Sequence, residues 1–153
     1  MRNAFRSQRA ARGFTLIEVM IAVLVMGLGL LGFALLQTMS VRFTQSANYR
    51  TQATNLTYEL LDQMRANRIL ASAYVGDYEA STTVADCEPA TGSDLTAAGF
   101  RSAWECRLGK ALGAGATANV ARAGDRLTVT VSWGDERWVE GASPRTFTAT
   151  TEL

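Results

Sequence analysis

Three side chains in this sequence stand where chemistry is possible: Glu18, Cys87 and Cys106. Glu18 is the one charge inside an apolar stretch, Gly13 to Leu36, with the sequence GFTLIEVMIAVLVMGLGLLGFALL. A carboxylate surrounded by apolar side chains is costly to desolvate, so it needs a partner or a purpose. Two cysteines are too few for a zinc site of their own. The chain has no histidine, which removes the commonest general base and metal ligand. No nucleophile with a base beside it and no paired carboxylates in a recognisable setting can be found. Gly113 to Ala118 fits the dinucleotide pattern GxGxxA, but no strand precedes it and no βαβ unit surrounds it. The sequence predicts no enzyme, no cofactor, no metal and no small-molecule substrate.

Glu18 is positioned by the stretch around it. From Val19 to Leu36 no residue is charged or polar, and a helix over residues 14–36 is about 34 Å long, enough to cross a hydrocarbon core. Ahead of it lies a leader, residues 1–13, with four arginines (Arg2, Arg6, Arg9, Arg12) and no acid. The net charge is +1 overall and +4 in the leader, so the chain after Gly13 carries −3. That balance offers no basic face to nucleic acid. A secretory signal has an apolar core of roughly 7–15 residues followed by a small-x-small cleavage site. This core is longer and no such site follows it. An uncleaved signal anchor, with the arginines held in the cytoplasm, is the plain alternative.

The helix is predicted to run on, from Phe14 to Arg68. Between Gly32 and Gly76 lie 43 residues without glycine or proline. Tyr49, Ala53, Leu56, Leu60 and Met64 recur at three- and four-residue steps, marking a face that packs on a core. Met39, Phe43 and Ala47 form a weaker stripe before them. Gly27, Gly29 and Gly32 lack the GxxxG spacing of close helix pairs and are candidates for local softening instead. Asn55-Leu56-Thr57 matches a glycosylation sequon by chance, in the middle of the helix.

Residues 71–92 read as loop, with turns at Gly76-Asp77 and Glu88-Pro89. Ser93-Asp94 is expected to cap a second helix, Leu95 to Leu112, ending at Gly113 and burying Phe100, Trp104, Leu108 and Leu112. The end of the chain alternates as strands do: Leu127, Val129, Val131 and Trp133, then Phe147, Ala149, Thr151 and Leu153. An antiparallel pair follows, with residues around Asn119 to Arg122 as a possible third strand. The predicted fold is α+β, a ladle with a long helix for its handle and a small head. Its divisions are a leader (1–13), the long helix (14–70, with 14–36 transmembrane) and a globular head (71–153).

The basic leader, the Gly13-Phe14 junction, Phe14-Thr-Leu-Ile-Glu18 and the apolar helix together resemble the class III signal of type IV pilins. The resemblance covers residues 9–36. It implies that a prepilin peptidase in the inner membrane cuts after Gly13 and methylates the new N-terminus at Phe14. It implies too that Glu18 guides subunit docking in a filament with minor pilins and the major pilin. It implies further that the subunit sits in the inner membrane before assembly and in the pilus after it. Many major pilins have a proline in the membrane helix and a disulfide loop at the very C-terminus. Here the prolines are Pro89 and Pro144, and Cys106 lies 47 residues from the end, departures that favour a minor pilin. A minor pseudopilin of type II secretion shares the same signal and architecture, and a signal-anchored binding protein that never assembles is a third reading. Export places Cys87 and Cys106 in an oxidising compartment, where a disulfide persists and stabilises by roughly 3 kcal/mol. Two unpaired buried thiols are the alternative.

Overall fold

A computed structural model describes residues 13–83, 87, 96–135 and 141–153. It divides into two compact units, one reaching to Arg42 and the other spanning Phe43–Leu153. A single helix, α1 (Leu16–Ala66), supplies the described part of the first unit after residues 13–15 and begins the second. Its 51 residues agree with the predicted span to within two residues at each end. It passes without interruption through Gly27, Gly29 and Gly32, so no local break is present there.

In the second unit α1 buries Ala53, Leu56, Thr57, Leu60, Leu61 and Met64, the face read from the periodicity. Tyr49 is half-buried against the same core. Met39, Phe43 and Ala47 are exposed, so the weaker stripe does not pack on the core. Periodicity marks a face; a covering surface has to come from elsewhere in the chain. Thr57 is tolerated in the core because its hydroxyl donates to the Ala53 carbonyl at 2.7 Å.

After α1 comes a 3-10 helix, Arg68–Tyr74, and then strand β1 (Gly76–Glu79). Both correct the expectation of loop over 71–92 and of a turn at Gly76-Asp77. Four residues are too few to show an alternation. β1 exists because it pairs with β2 (Thr117–Ala123), Gly76 opposite Val120 and Glu79 opposite Thr117. The turn expected at Glu88-Pro89 lies outside the described residues, as do Ser93, Asp94 and Leu95. The second helix, α2 (Ala97–Leu112), is capped by Thr96, whose side chain accepts from the Gly99 N–H at 3.1 Å. Phe100, Trp104, Leu108 and Leu112 are buried on it as expected. Gly113 ends it, so GAGATA runs from helix to strand, the reverse of a dinucleotide turn.

β2, β3 (Arg126–Trp133) and β4 (Arg145–Glu152) continue the sheet in the order β1-β2-β3-β4, antiparallel throughout. The β2–β3 connection is the two residues Gly124-Asp125, and Gly124 adopts a positive φ of 64° that favours glycine. One sheet face carries Tyr78, Val120, Leu127, Val129, Val131 and Trp133 into the core. The other carries threonines, whose hydroxyls pair across strands at 3.2 Å (Thr128–Thr150) and 3.0 Å (Thr130–Thr148). The buried sheet face, α2 and the buried face of α1 form one apolar cluster. Each fully buried Leu, Val or Met in it contributes roughly 1.5–3 kcal/mol.

Polar contacts set the register of these layers. Trp104 donates its indole N–H to the Leu56 carbonyl at 3.1 Å, tying α2 to α1. Arg65 donates to Thr151 Oγ1 at 2.9 Å, tying α1 to β4. Tyr78 lies edge-on to Trp104, with ring centroids 5.2 Å apart, beneath the Arg101 guanidinium at 4.1 Å. Its hydroxyl donates to the Tyr74 carbonyl. Burial pushes the Tyr78 phenol up from 10.0 to about 12, against the opposing pull of Arg101. Gly109 is where the chain after β1 crosses α2. A Cβ there would sit 2.3 Å from the Ser81 carbonyl oxygen, so no larger residue fits without movement.

Cys87 and Cys106 are joined in a disulfide, with their Cα atoms 5.5 Å apart. Cys106 is buried on α2, so the bond fastens the segment containing Cys87 to that helix. Alkylation of natively purified protein without reductant should therefore label neither cysteine. Cys106→Ser should lower the stability of the second unit by about 2–5 kcal/mol in denaturant unfolding. Labelling of both thiols would contradict the bond.

Candidate membrane-spanning and processing site

The sequence places its distinctive residues at the start of α1. Gly13, Phe14 and Thr15 precede the helix, which begins at Leu16. Thr15 caps it: its Oγ1 accepts the Glu18 N–H at 3.3 Å, and its carbonyl accepts the Val19 N–H at 3.3 Å. Thr15 and Glu18 thus stand in the S/T-x-x-E pattern of a helix start. That pattern was legible in the sequence and explains why the helix begins here. Glu18 lies in the first turn, where the helix dipole favours a negative charge.

Around Glu18 the surface is apolar, formed by Phe14, Val19, Ala22, Val23 and Met26. Phe14 is 83% exposed, and every residue from Gly13 to Gln45 is exposed. The most apolar 18-residue window of the helix has a mean hydropathy of 2.7, and none of it is buried. A helix apolar on all sides has no stable place in water. It suits a hydrocarbon medium, where its backbone is already hydrogen-bonded internally. By contrast, Cys87 and Cys106 lie in the second unit and take no part in this site.

Phe14 lies two positions before the first helical residue, Leu16, and four before Glu18. No other acid lies between Gly13 and Glu59. The site offers a small-residue junction, an aromatic side chain after it, and one carboxylate a turn into an apolar helix.

Residues 8–34 match the family described as the prokaryotic N-terminal methylation motif. The chain carries a prepilin signal. The match takes in the end of the leader, the Gly13-Phe14 junction, Glu18 and most of the apolar run. No curated protein and no solved structure matches the chain. The prepilin motif supports a place in the type IV pilin family, as a pilin or a pseudopilin-like protein. With the apolar helix it fits membrane association and processing by a prepilin peptidase. Such a motif points to a structural protein rather than an enzyme.

Proposed function

We propose that this chain is a minor type IV pilin, a structural subunit that helps to initiate pilus assembly and lies in or near the filament tip. The observation that carries the reading is a methylation motif over residues 8–34 laid on a helix of membrane length. The finer assignment, to the type IV pilus modification protein PilV, rests on resemblance in Gly29-Leu-Leu-Gly32 and in the run Arg50 to Asn67. In this reading residues 1–13 are the leader, 14–36 cross the inner membrane and 71–153 form the periplasmic head. The partners are the prepilin peptidase, other minor pilins and the major pilin.

Cleavage falls after Gly13, which has no side chain to obstruct a peptidase, while the leader arginines remain cytoplasmic. The mature chain then begins with N-methylated Phe14. Intact-mass measurement of membrane protein should show the loss of residues 1–13 and the gain of one methyl group. A dominant full-length mass in a wild-type strain would end the pilin reading. Deletion of the gene should abolish surface pili and leave type II secretion intact. The opposite pattern would make the chain a pseudopilin.

Glu18 receives the amine of a neighbouring subunit's Phe14 in the filament. An own-chain pair, one helical turn apart, is the simpler alternative. Between helices bundled in a low dielectric, a pair of opposite charges is stronger than at a wet surface. This gives a reason to keep a carboxylate where lipid penalises it. Glu18→Gln preserves size and hydrogen bonding and lowers the cost of residing in the bilayer. The variant should be cleaved and membrane-resident at normal levels, yet missing from sheared filaments. Incorporation equal to wild type would show that intermolecular pairing is wrong.

A further inference from the structure

The two edges of the sheet are built differently. β1, at one edge, is four residues long and carries Asp77 and Glu79, both exposed. Shortness and charge each discourage another strand from pairing there. β4, at the other edge, has eight residues in unbroken register with β3, without a bulge, a lysine or a proline. Its only charges are Arg145 and Glu152, at its two ends. The devices that keep a lone edge from pairing are present on β1 and absent from the body of β4.

The register shows which groups β4 offers. The Leu153 N–H donates to the Asp125 carbonyl at 2.9 Å, and these two residues extend the β3–β4 register by one step. In an antiparallel ladder, residues bonded to the neighbour alternate with residues whose N–H and C=O point the other way. Phe147, Ala149 and Thr151 therefore bond to β3, while Thr146, Thr148, Thr150 and Glu152 aim their main-chain groups at the free side. Among the described residues these groups have no further backbone partner. Rows of side chains stop at the same place. On the outer face the hydroxyl pairs Thr128–Thr150 and Thr130–Thr148 end at β4. On the core face Val129 and Val131 are buried, but Ala149 and Phe147 opposite them are only half-buried. Tyr58 of α1, 50% exposed, stands beside Phe147 with ring centroids 6.4 Å apart, so an apolar shelf borders the edge.

Alternating main-chain donors and acceptors are matched by another extended backbone. Its side chains must alternate as well, apolar ones over Tyr58 and Phe147 and hydroxylated ones continuing the threonine rows. A second copy of β4 fits poorly. Paired parallel, its sheet turns over and sets threonines against the apolar shelf. Paired antiparallel, its α1 is reversed, because residues 46–65 of α1 run the same way as β4, from Ser46 beside Asp135 and Arg145 to Arg65 at Thr151. Two chains held in one membrane through α1 cannot adopt that arrangement, an argument that rests on the membrane reading above.

We propose that β4 is a receiving edge, where a different protein chain adds an antiparallel strand of about six residues alternating apolar and hydroxylated side chains. The test is ¹H–¹⁵N NMR on the full chain in detergent micelles, titrated with acetyl-Thr-Val-Thr-Val-Thr-Val amide. Two further forms of the peptide are N-methylated, one at every valine and the other at every threonine. With valines on the shelf, the peptide's threonines lie opposite Thr148 and Thr150 and turn their N–H groups to β4. The parent and the N-methyl-valine form should therefore shift the Thr148 and Thr150 amide signals saturably. The N-methyl-threonine form should bind at least about ten-fold more weakly. Thr148→Pro removes an N–H that serves only the free side, and should weaken the parent peptide about ten-fold while leaving the β3 amide signals in place. Absence of a saturable shift with the parent peptide would overturn the proposal, as would equal binding of the two methylated forms. The same shifts on raising the protein concentration alone would give the edge to a second copy and overturn it too. The wild-type titrations decide this even where the variant does not fold. They need neither cleavage nor a filament, so their failure is separable from failure of the pilin reading.

Discussion

The helix hydrogen bond is what makes the rest of this chain possible. An α-helix satisfies its own N–H and C=O groups, so it is indifferent to whether its surroundings donate or accept. α1 uses that indifference over 51 residues. Where its side chains are apolar all round, the backbone can lie in lipid without penalty. Where they are apolar on one face, the same backbone can help to close a water-soluble core. A strand could not make this passage, because its hydrogen bonds belong to its neighbours.

Between Leu16 and Leu36 the one exception to the apolar rule is Glu18, and the local chemistry shows how it is made bearable. Thr15 caps the helix through Oγ1, the first-turn dipole favours the charge, and the carboxylate lies a single turn from the helix start. These effects are each worth about 1 kcal/mol or less, well short of what desolvating a carboxylate costs. A partner of opposite charge is therefore the natural complement.

The second unit faces a different problem. With about 110 residues it has a modest core, and its α1 segment arrives with only one apolar face. The solution is layered: the sheet and α2 join that face in one cluster. Hydrogen bonds from Trp104 and Arg65 fix the layers, and a disulfide fastens the segment containing Cys87 to α2. The exposed sheet face is threonine-rich, which suits a pleated surface in water without adding charge.

The parts of this structure that depend on a repeating pattern were readable from the residues alone. The long helix, the buried stripe Ala53-Leu56-Leu60-Met64, the α2 face and strands β3 and β4 each repeat over enough residues for the period to be counted. The methylation motif is equally local, a run of neighbouring residues, and so it needed no fold to be read. What the sequence could not decide was anything made by pairing across distance. Strand β1 is four residues whose conformation is set by β2, about 40 residues later. Gly109 matters only because Ser81 passes over it. The Cys87–Cys106 bond was expected from compartment, but its two alternatives were separated only by the folded chain. Ser46, Trp133 and Asp135 share a cleft because α1 and the sheet meet there. The hydrogen bond from the Ser46 hydroxyl to Asp135 is invisible in a sequence for the same reason: it is a property of the packed neighbourhood, and that neighbourhood exists only once the chain has folded.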